Sequence, residues 1–501
     1  MPAEVDPQWL AQQNLFFDRL KQRYPGLLVL ANDVDAGHAP HLNGRLFEGA
    51  PLLDRILSGT LSPRDAIREL DTWMATSQQP GLTFAIMTQP TGWQGWRVGK
   101  GDKVTTPGEV DRARRDFARM RTGLCTALMT DAYYAYDFGT VWYGLPLWYA
   151  EYDAPLGEPL GPAREVQEVP PVPVFGWQAG GPLSGLVLDG AARETPEGIV
   201  GETAVDGGWQ RLFATDFRRV PLEPGKRYRI TAECTVLAKP TKALQFNVRT
   251  GKGGWEHHDK GVLHSAAETG GEWSIEVMVT PDDFDDYAVE WHLLGAGGVR
   301  LEALRIELVG ESYLVRDFAG GSVVLNDTPY PITVELPQPL RRLQDDAAPR
   351  HVIEVDDGTT GFASAGAWEF VAGEQHYHGP GFRLAAKPGD TARWVFAAPS
   401  SDTYIVFATT PGGKRLTDAA VYSGQGKTAT LNQRQGDGGW MQLFEVDLKA
   451  GDRCEVTLIS SGTGATAADA IRAESKARYN DGSEVRTLDL GPHDGVVLVR
   501  P

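Results

Sequence analysis

The first 150 residues carry two alternating hydrophobic periods. Leu10, Leu15, Phe16 and Leu20 recur at helical spacing, and the pattern stops at Pro25-Gly26, which predicts a helix over residues 10–24. Residues 27–31 form a continuous apolar run, as a buried parallel strand requires. Residues 43–47 and 82–87 predict two further strands. Ser62 before Pro63 supplies an N-cap and a proline at the first helical position, so a helix follows over residues 64–76. Thr106-Pro107 starts another, running to about Thr122, and the apolar run 125–130 predicts a fourth strand. This βαβα rhythm implies a parallel sheet.

After Tyr152 the pattern changes. Residues 154–175 are rich in Pro and Gly and read as a linker. Residues 177–310 alternate as short strands, among them 228–236, 244–248, 273–279 and 299–308. Further alternating stretches lie at 313–325 and 330–336, and residues 349–473 are again β, with turns at Pro388-Gly389, Pro411-Gly412-Gly413 and Gly438-Gly439. Residues 485–499 predict a strand pair. The segments 312–348 and 476–501 are each too short to fold alone, so we expect them to close together around an inserted block at 349–475. The expected fold class is therefore α/β plus all-β.

Composition narrows the function. The formal charge of −18 argues against nucleic acid and anionic membranes, both of which reward clustered Lys and Arg. The N-terminal residues lack the basic and apolar regions of a signal peptide, and no apolar run is long enough to span a bilayer. Cys125, Cys234 and Cys454 lie far apart, which suits small buried hydrophobes rather than a disulfide framework or zinc site. His257-His258-Asp259 and His376-Tyr377-His378 have no second ligand pair at zinc spacing, so no metal or cofactor is expected. The 14 Trp are informative because many sit beside Gly, Asp or His, where an aromatic face can stack on a sugar ring.

The run from Leu128 to Gly161 is specific. Asp131-Ala132-Tyr133, Tyr136-Asp137-Phe138-Gly139 and the aromatic cluster from Trp148 to Gly157 resemble the last barrel strand and exit segment of the bacterial glycoside hydrolases called hypothetical glycosyl hydrolase family 15. Ala31-Asn32 and the run from Asn43 to Glu48 look like two earlier strand ends of that family. Val315 to Phe318 and the run from Asp489 to Leu498 look like its terminal β domain. The resemblance implies that residues 1–165 are the C-terminal half of a (β/α)8 (TIM-type) glycosidase barrel, followed by β-sandwich and jelly-roll modules. Such a barrel has eight strands. Four are predicted here, so the chain would be a fragment, or the missing N-terminal barrel half would come from another chain. Residues 349–475 resemble a golvesin C-terminal, xanthan-lyase-like module through Gly361-Phe362, Trp368, Gly438-Gly439-Trp440 and the run from Ala468 to Arg472. Residues 177–310 resemble a galactose-binding-like jelly roll of the carbohydrate-binding-module type.

Glycoside hydrolysis needs two carboxyl groups flanking the scissile bond, and barrels place them at C-terminal strand ends. Glu48 is the expected general acid/base and Asp131 the second carboxylate or a hydroxyl acceptor. Asn32, Asp33, Gln89, Trp93, Trp96, Tyr133, Tyr136, Asp137, Trp142 and Trp148 are the candidate sugar contacts, and Trp209, Trp255, Trp368 and Trp440 the candidate ligand residues of the modules. Each has a bland counterpart: a cap, a turn or core packing. Three readings stand: a glycoside hydrolase or part of one acting on a polysaccharide, a non-catalytic carbohydrate-binding protein, and a surface-assembly protein. The resemblance implies a secreted or cell-surface setting.

Overall fold

Helix and strand alternate through the first 137 residues: α1 (Asp6–Arg23), β1 (Leu30–Asn32), β2 (Gly44–Phe47), α2 (Asp54–Leu57), α3 (Pro63–Thr76), β3 (Phe84–Thr88), α4 (Pro107–Arg114), α5 (Phe117–Leu128) and β4 (Tyr133–Asp137). The computed structural model describes residues 6–32, 36–47, 52–57, 61–88, 106–137, 147–167, 170–190, 192–204, 209–216, 219–220, 222–223, 226–238, 243–250, 262–264, 270–278, 287–310, 312–328, 330–345, 347–372, 376–460 and 464–501. Two units divide the chain. One holds Met1–Arg164, Leu314–Asn326 and Thr333–Pro501; the other holds Glu165–Tyr313 and Asp327–Ile332. The fold is mostly β, and all the described α-helices precede Tyr133.

In the first unit, β1 to β4 form a parallel sheet in the order 1-2-3-4, with Leu30 opposite Gly44, Leu46 opposite Phe84 and Thr88 opposite Asp137. Caps fix the helices. The Ser62 hydroxyl accepts from Asp65 N (3.1 Å), and α3 presents Ala66, Leu70 and Trp73 to the core. Thr106 and Glu109 form a reciprocal capping box on α4.

Residues 125–130 are not a strand. They belong to the C-terminal half of α5 and its cap, and β4 begins at Tyr133. Helix α4 ends at Arg114, and Asp116 caps α5 by accepting from Arg119 N at 3.2 Å. Met120 to Ala127 are all buried. A helix covered on every side loses the polar stripe that marks its period, and its residues then resemble a buried strand.

The strands Glu484–Leu490, Ile332–Arg342, Gly495–Val499, Gly321–Leu325 and Ser312–Phe318 are neighbours in that order in one antiparallel sheet, so segments on both sides of 349–475 share it. Helix α5 packs on this sheet, and Arg121 holds Asp494 in a bidentate ion pair (2.8 and 3.0 Å). The block between them is a sandwich. One sheet runs Val352–Val355, Ile471–Ser475, Asp402–Ala408, Met441–Leu448; its partner is centred on Thr391–Ala397 and Arg453–Ile459. Trp394, Tyr404, Val406, Tyr422, Val456 and Leu458 fill the core. Arg112 of α4 donates to the Tyr377 and Gly438 carbonyls (3.1 and 3.0 Å), tying the helix to this sandwich.

The second unit is a jelly-roll-like pair of antiparallel sheets. Its core draws Phe213, Trp291 and Leu293 from one sheet and Ile230, Ala232, Leu304 and Ile306 from the other.

Candidate functional site

Parallel sheets present their chemistry at the C-terminal strand ends. Here those ends are Asn32, Phe47, Thr88 and Asp137. Asn32 is exposed and Asp137 half-buried. Glu48 follows Phe47 in the sequence; Glu48, Asp33, Gln89, Trp93, Trp96 and Trp142 lie outside the described residues.

Asp131 does not end the fourth strand. It precedes β4, at the opposite edge of the sheet from Asp137, and Arg316 pairs with it while donating to the Leu128 and Thr130 carbonyls at the end of α5. This is a helix-terminating role. Tyr133 opens β4, so it also lies at the N-terminal edge, where it stacks on Phe84 at 4.9 Å. Tyr136 is buried, and its hydroxyl donates to the Ala113 carbonyl at 3.3 Å. Tyr134 and Tyr149 do the same to the Met120 and Arg114 carbonyls (3.1 and 3.0 Å). Burial pushes all three phenols well up, so they stay neutral donors. Tyr136 and Tyr134 fasten α4 and α5 to β4, and Tyr149 fastens the segment after β4 to the end of α4.

Trp148 differs. Leu147 N donates to the Tyr136 carbonyl at 3.2 Å, which sets Trp148 beside the C-terminal end of β4. Its indole N–H is committed to Asp153 (2.9 Å), its ring meets Tyr152 edge-on at 5.3 Å, and 67% of the residue is exposed. An indole held in place and exposed in this way is free to stack on another ring.

The module tryptophans separate as well. Trp440 is buried with Phe407 and Ala470, between the His378 ring (5.4 Å) and the Arg472 guanidinium (5.7 Å). Trp368 packs against the sandwich core and donates to the Ala365 carbonyl at 3.1 Å. Both serve packing. Trp209 opens the strand Trp209–Thr215, with its side chain outside the described residues, as is all of Trp255. His376 lies 3.1 Å from Glu109 and His378 3.5 Å from Glu354. Among the described residues no cluster of three His, Cys, Asp or Glu could hold a metal ion, and no helix is long and apolar enough to cross a membrane.

Two polar clusters escaped the sequence reading. In the jelly-roll unit, Glu290 and His292 alternate with the core residue Trp291 and so face away from that core, yet both are buried. Glu290 takes His292 at 3.0 Å and Arg211 at 2.7 Å. Burial pushes its carboxyl up, but hydrogen bonds from His292 and Arg211 outweigh that and leave it below its ordinary value. The Glu-Trp-His alternation was the available signal. In the sandwich, Asp356, Asp357 and Asp469 are buried together. Burial, then the charge of Asp357, pushes Asp356 up to about 7; burial pushes Asp357 up to about 6 and Asp469 well up.

Residues 352–475 match the golvesin C-terminal domain. Among solved structures, a Paenibacillus xanthan lyase aligns at 15% identity and a TM-score of 0.24 over 64% of this chain. The chain spans about a quarter (26%) of that lyase. A family 35 carbohydrate-binding module from Cellvibrio japonicus aligns at 16% identity and a TM-score of 0.21, covering 27% of this chain and 97% of the module. The tandem family 22 modules of a Paenibacillus barcinonensis protein align at 11% identity and a TM-score of 0.22, covering 67% of this chain and all (100%) of theirs. No curated protein matches.

Proposed function

We propose that this protein binds polysaccharide, in a secreted or cell-surface setting, with the C-terminal edge of the parallel sheet as its glycan-facing surface. The observation that carries this reading is Trp148, an anchored and exposed indole beside the end of β4. Residues 1–165 are taken as part of a (β/α)8 glycosidase-like barrel and residues 177–310 as a carbohydrate-binding jelly roll. The finer reading is hydrolysis, with Glu48 as general acid/base and Asp137, in place of Asp131, as the carboxylate at the end of β4, two strands from β2. A non-catalytic binding protein is the second reading. It is favoured by strand number: eight strands close such a barrel, and four are paired among the described residues.

The test is a panel of plant and microbial polysaccharides, scored for binding and for release of reducing ends. Trp148→Ala is expected to weaken binding about fivefold, the equivalent of roughly 1 kcal/mol of stacking. Turnover lost in Glu48→Gln with binding retained supports the hydrolase. Binding without turnover by the parent chain supports the second reading, and no glycan binding sinks both.

A further inference from the structure

A cleft of about 790 Å³ in the first unit lies where α5, the terminal β sheet and the sandwich meet, and Asn32, Phe47, Thr88 and Asp137 are not among the residues that line it. That volume is ordinary for a small-molecule site. Five arginines and four carboxylates line it, in a chain whose overall charge is −18.

Most of those arginines are spoken for. Arg472 reaches Glu354 (2.5 Å) and Glu474 (2.7 Å). Arg115 pairs with Asp111 (3.0 Å) and Glu474 (3.3 Å), and Arg350 with Asp481 (2.5 Å). Arg121 is more than nine-tenths buried and spends Nε and Nη2 on Asp494, but its buried Nη1 has no hydrogen-bond partner among the described residues. Arg342 has a buried Nη1 in the same state and no carboxylate within ion-pair distance among the described residues. Both guanidinium groups lie over the Tyr479 ring, 4.0 and 4.7 Å from its centroid, which fixes their planes. Those two Nη1 atoms are sealed from the cleft, but the rest of the Arg342 guanidinium is half-buried with no acceptor among the described residues, which leaves an uncompensated cation on the cleft wall and a demand for an anion.

We propose that this cleft binds the carboxylate of an acidic sugar, with Arg342 as its anion-holding group. The charge balance favours a singly charged carboxylate over a phosphate dianion, because Asp489, Asp116 and Glu354 share the lining. Hydroxyls of Ser400, Ser483 and Thr487 on the same walls suit the rest of a sugar ring. His351 adds no competing charge: burial and then Arg350 hold its imidazole below its ordinary range. The inference rests on the glycan-binding reading and names the substrate class for a second surface of the same protein.

The experiment is isothermal titration of the full chain with oligogalacturonide, an alginate tetrasaccharide, methyl-esterified oligogalacturonide, a neutral gluco-oligosaccharide and inorganic phosphate. Arg342 is half-buried at a strand end, so Arg342→Gln and Arg342→Lys should fold, which thermal unfolding checks. We expect an acidic oligosaccharide to bind, esterification and Arg342→Gln each to weaken it at least tenfold, and Arg342→Lys, which keeps the charge but loses the fork, to restore only part. Equal affinity for the free acid and its ester, or no effect of Arg342→Gln, overturns the assignment. Phosphate binding without oligosaccharide binding overturns the sugar. Neutral glycans binding alone, unaffected by Arg342→Gln, defeats the acidic cleft and leaves the glycan-binding proposal standing.

Discussion

The contact between α5 and the strand Gly495–Val499 can be tested at a single atom. Gly495 faces Cys125, and a methyl group added there would sit 2.5 Å from the Cys125 Cβ, 2.6 Å from its Sγ and 3.1 Å from the Val324 carbonyl. None of these is the end of a flexible side chain: Cys125 is fully buried inside a helix and Val324 lies in the paired strand. Overpacking of this kind costs about 1–3 kcal/mol, and the rigidity on both sides places Gly495→Ala near the upper value. Cys125→Gly removes the obstructing atoms. Alone it costs about 1 kcal/mol for glycine inside a helix, plus a small cavity. Combined with Gly495→Ala it relieves the overlap, so the two losses should fall short of additivity by about 1–2 kcal/mol. Urea unfolding of the parent, both single variants and the double variant measures this, provided the denaturant slope is unchanged. Because burial raises the Cys125 thiol well above its ordinary value, the coupling should be the same at pH 6 and pH 8. Losses that add to within about 0.5 kcal/mol would refute the docking of α5 on this strand.

Ser62→Ala removes the acceptor for Asp65 N at the start of α3, an expected loss of about 1 kcal/mol, seen as faster hydrogen exchange confined to the first turn of that helix; unchanged exchange would count against the cap. Asp356→Asn tests the buried acid pair. The folded carboxyls of Asp356 and Asp357 titrate at about 7 and about 6, above the roughly 3.9 of an unfolded Asp. The folded state therefore holds more protons, and the stability this brings is complete below about pH 4 and lost as pH rises through 6 to 7. The amide that Asp356→Asn introduces stays neutral throughout, so the variant's stability relative to the parent should climb between pH 4 and 7 and level off above. A difference independent of pH would show that the pair is ionised in the fold.

Elements signalled by short-range chemistry were legible in the sequence. Ser62-Pro63 and Thr106-Pro107 announce helix starts because a cap and a fixed φ act within one turn, and both helices begin there. The fourth strand was misread for a physical reason. Leu124 to Met129 is apolar on every side because α5 is wedged between β3, β4 and the strands Gly321–Leu325 and Gly495–Val499, so burial erases the helical period. The cue that would have corrected it was Asp116, an N-cap immediately before Phe117 that starts a helix running through the misread residues. That shift of a few residues moved the candidate carboxylate from Asp131 to Asp137, from one edge of the sheet to the other.

The arginine cleft could not be read from sequence at all, and its construction explains why. Arg121 lies on α5, Arg342 at the end of the strand Ile332–Arg342, and Tyr479 beyond the inserted sandwich. Asp494 meets Arg121 across 373 residues. No local spacing links these positions; only the pairing of segments on either side of 349–475 brings them together. A sequence motif records groups that one stretch of backbone holds together. A site assembled by pairing segments on either side of a sandwich leaves only isolated arginines, and what distinguishes Arg342 from the others is the acceptor that the described residues withhold from it.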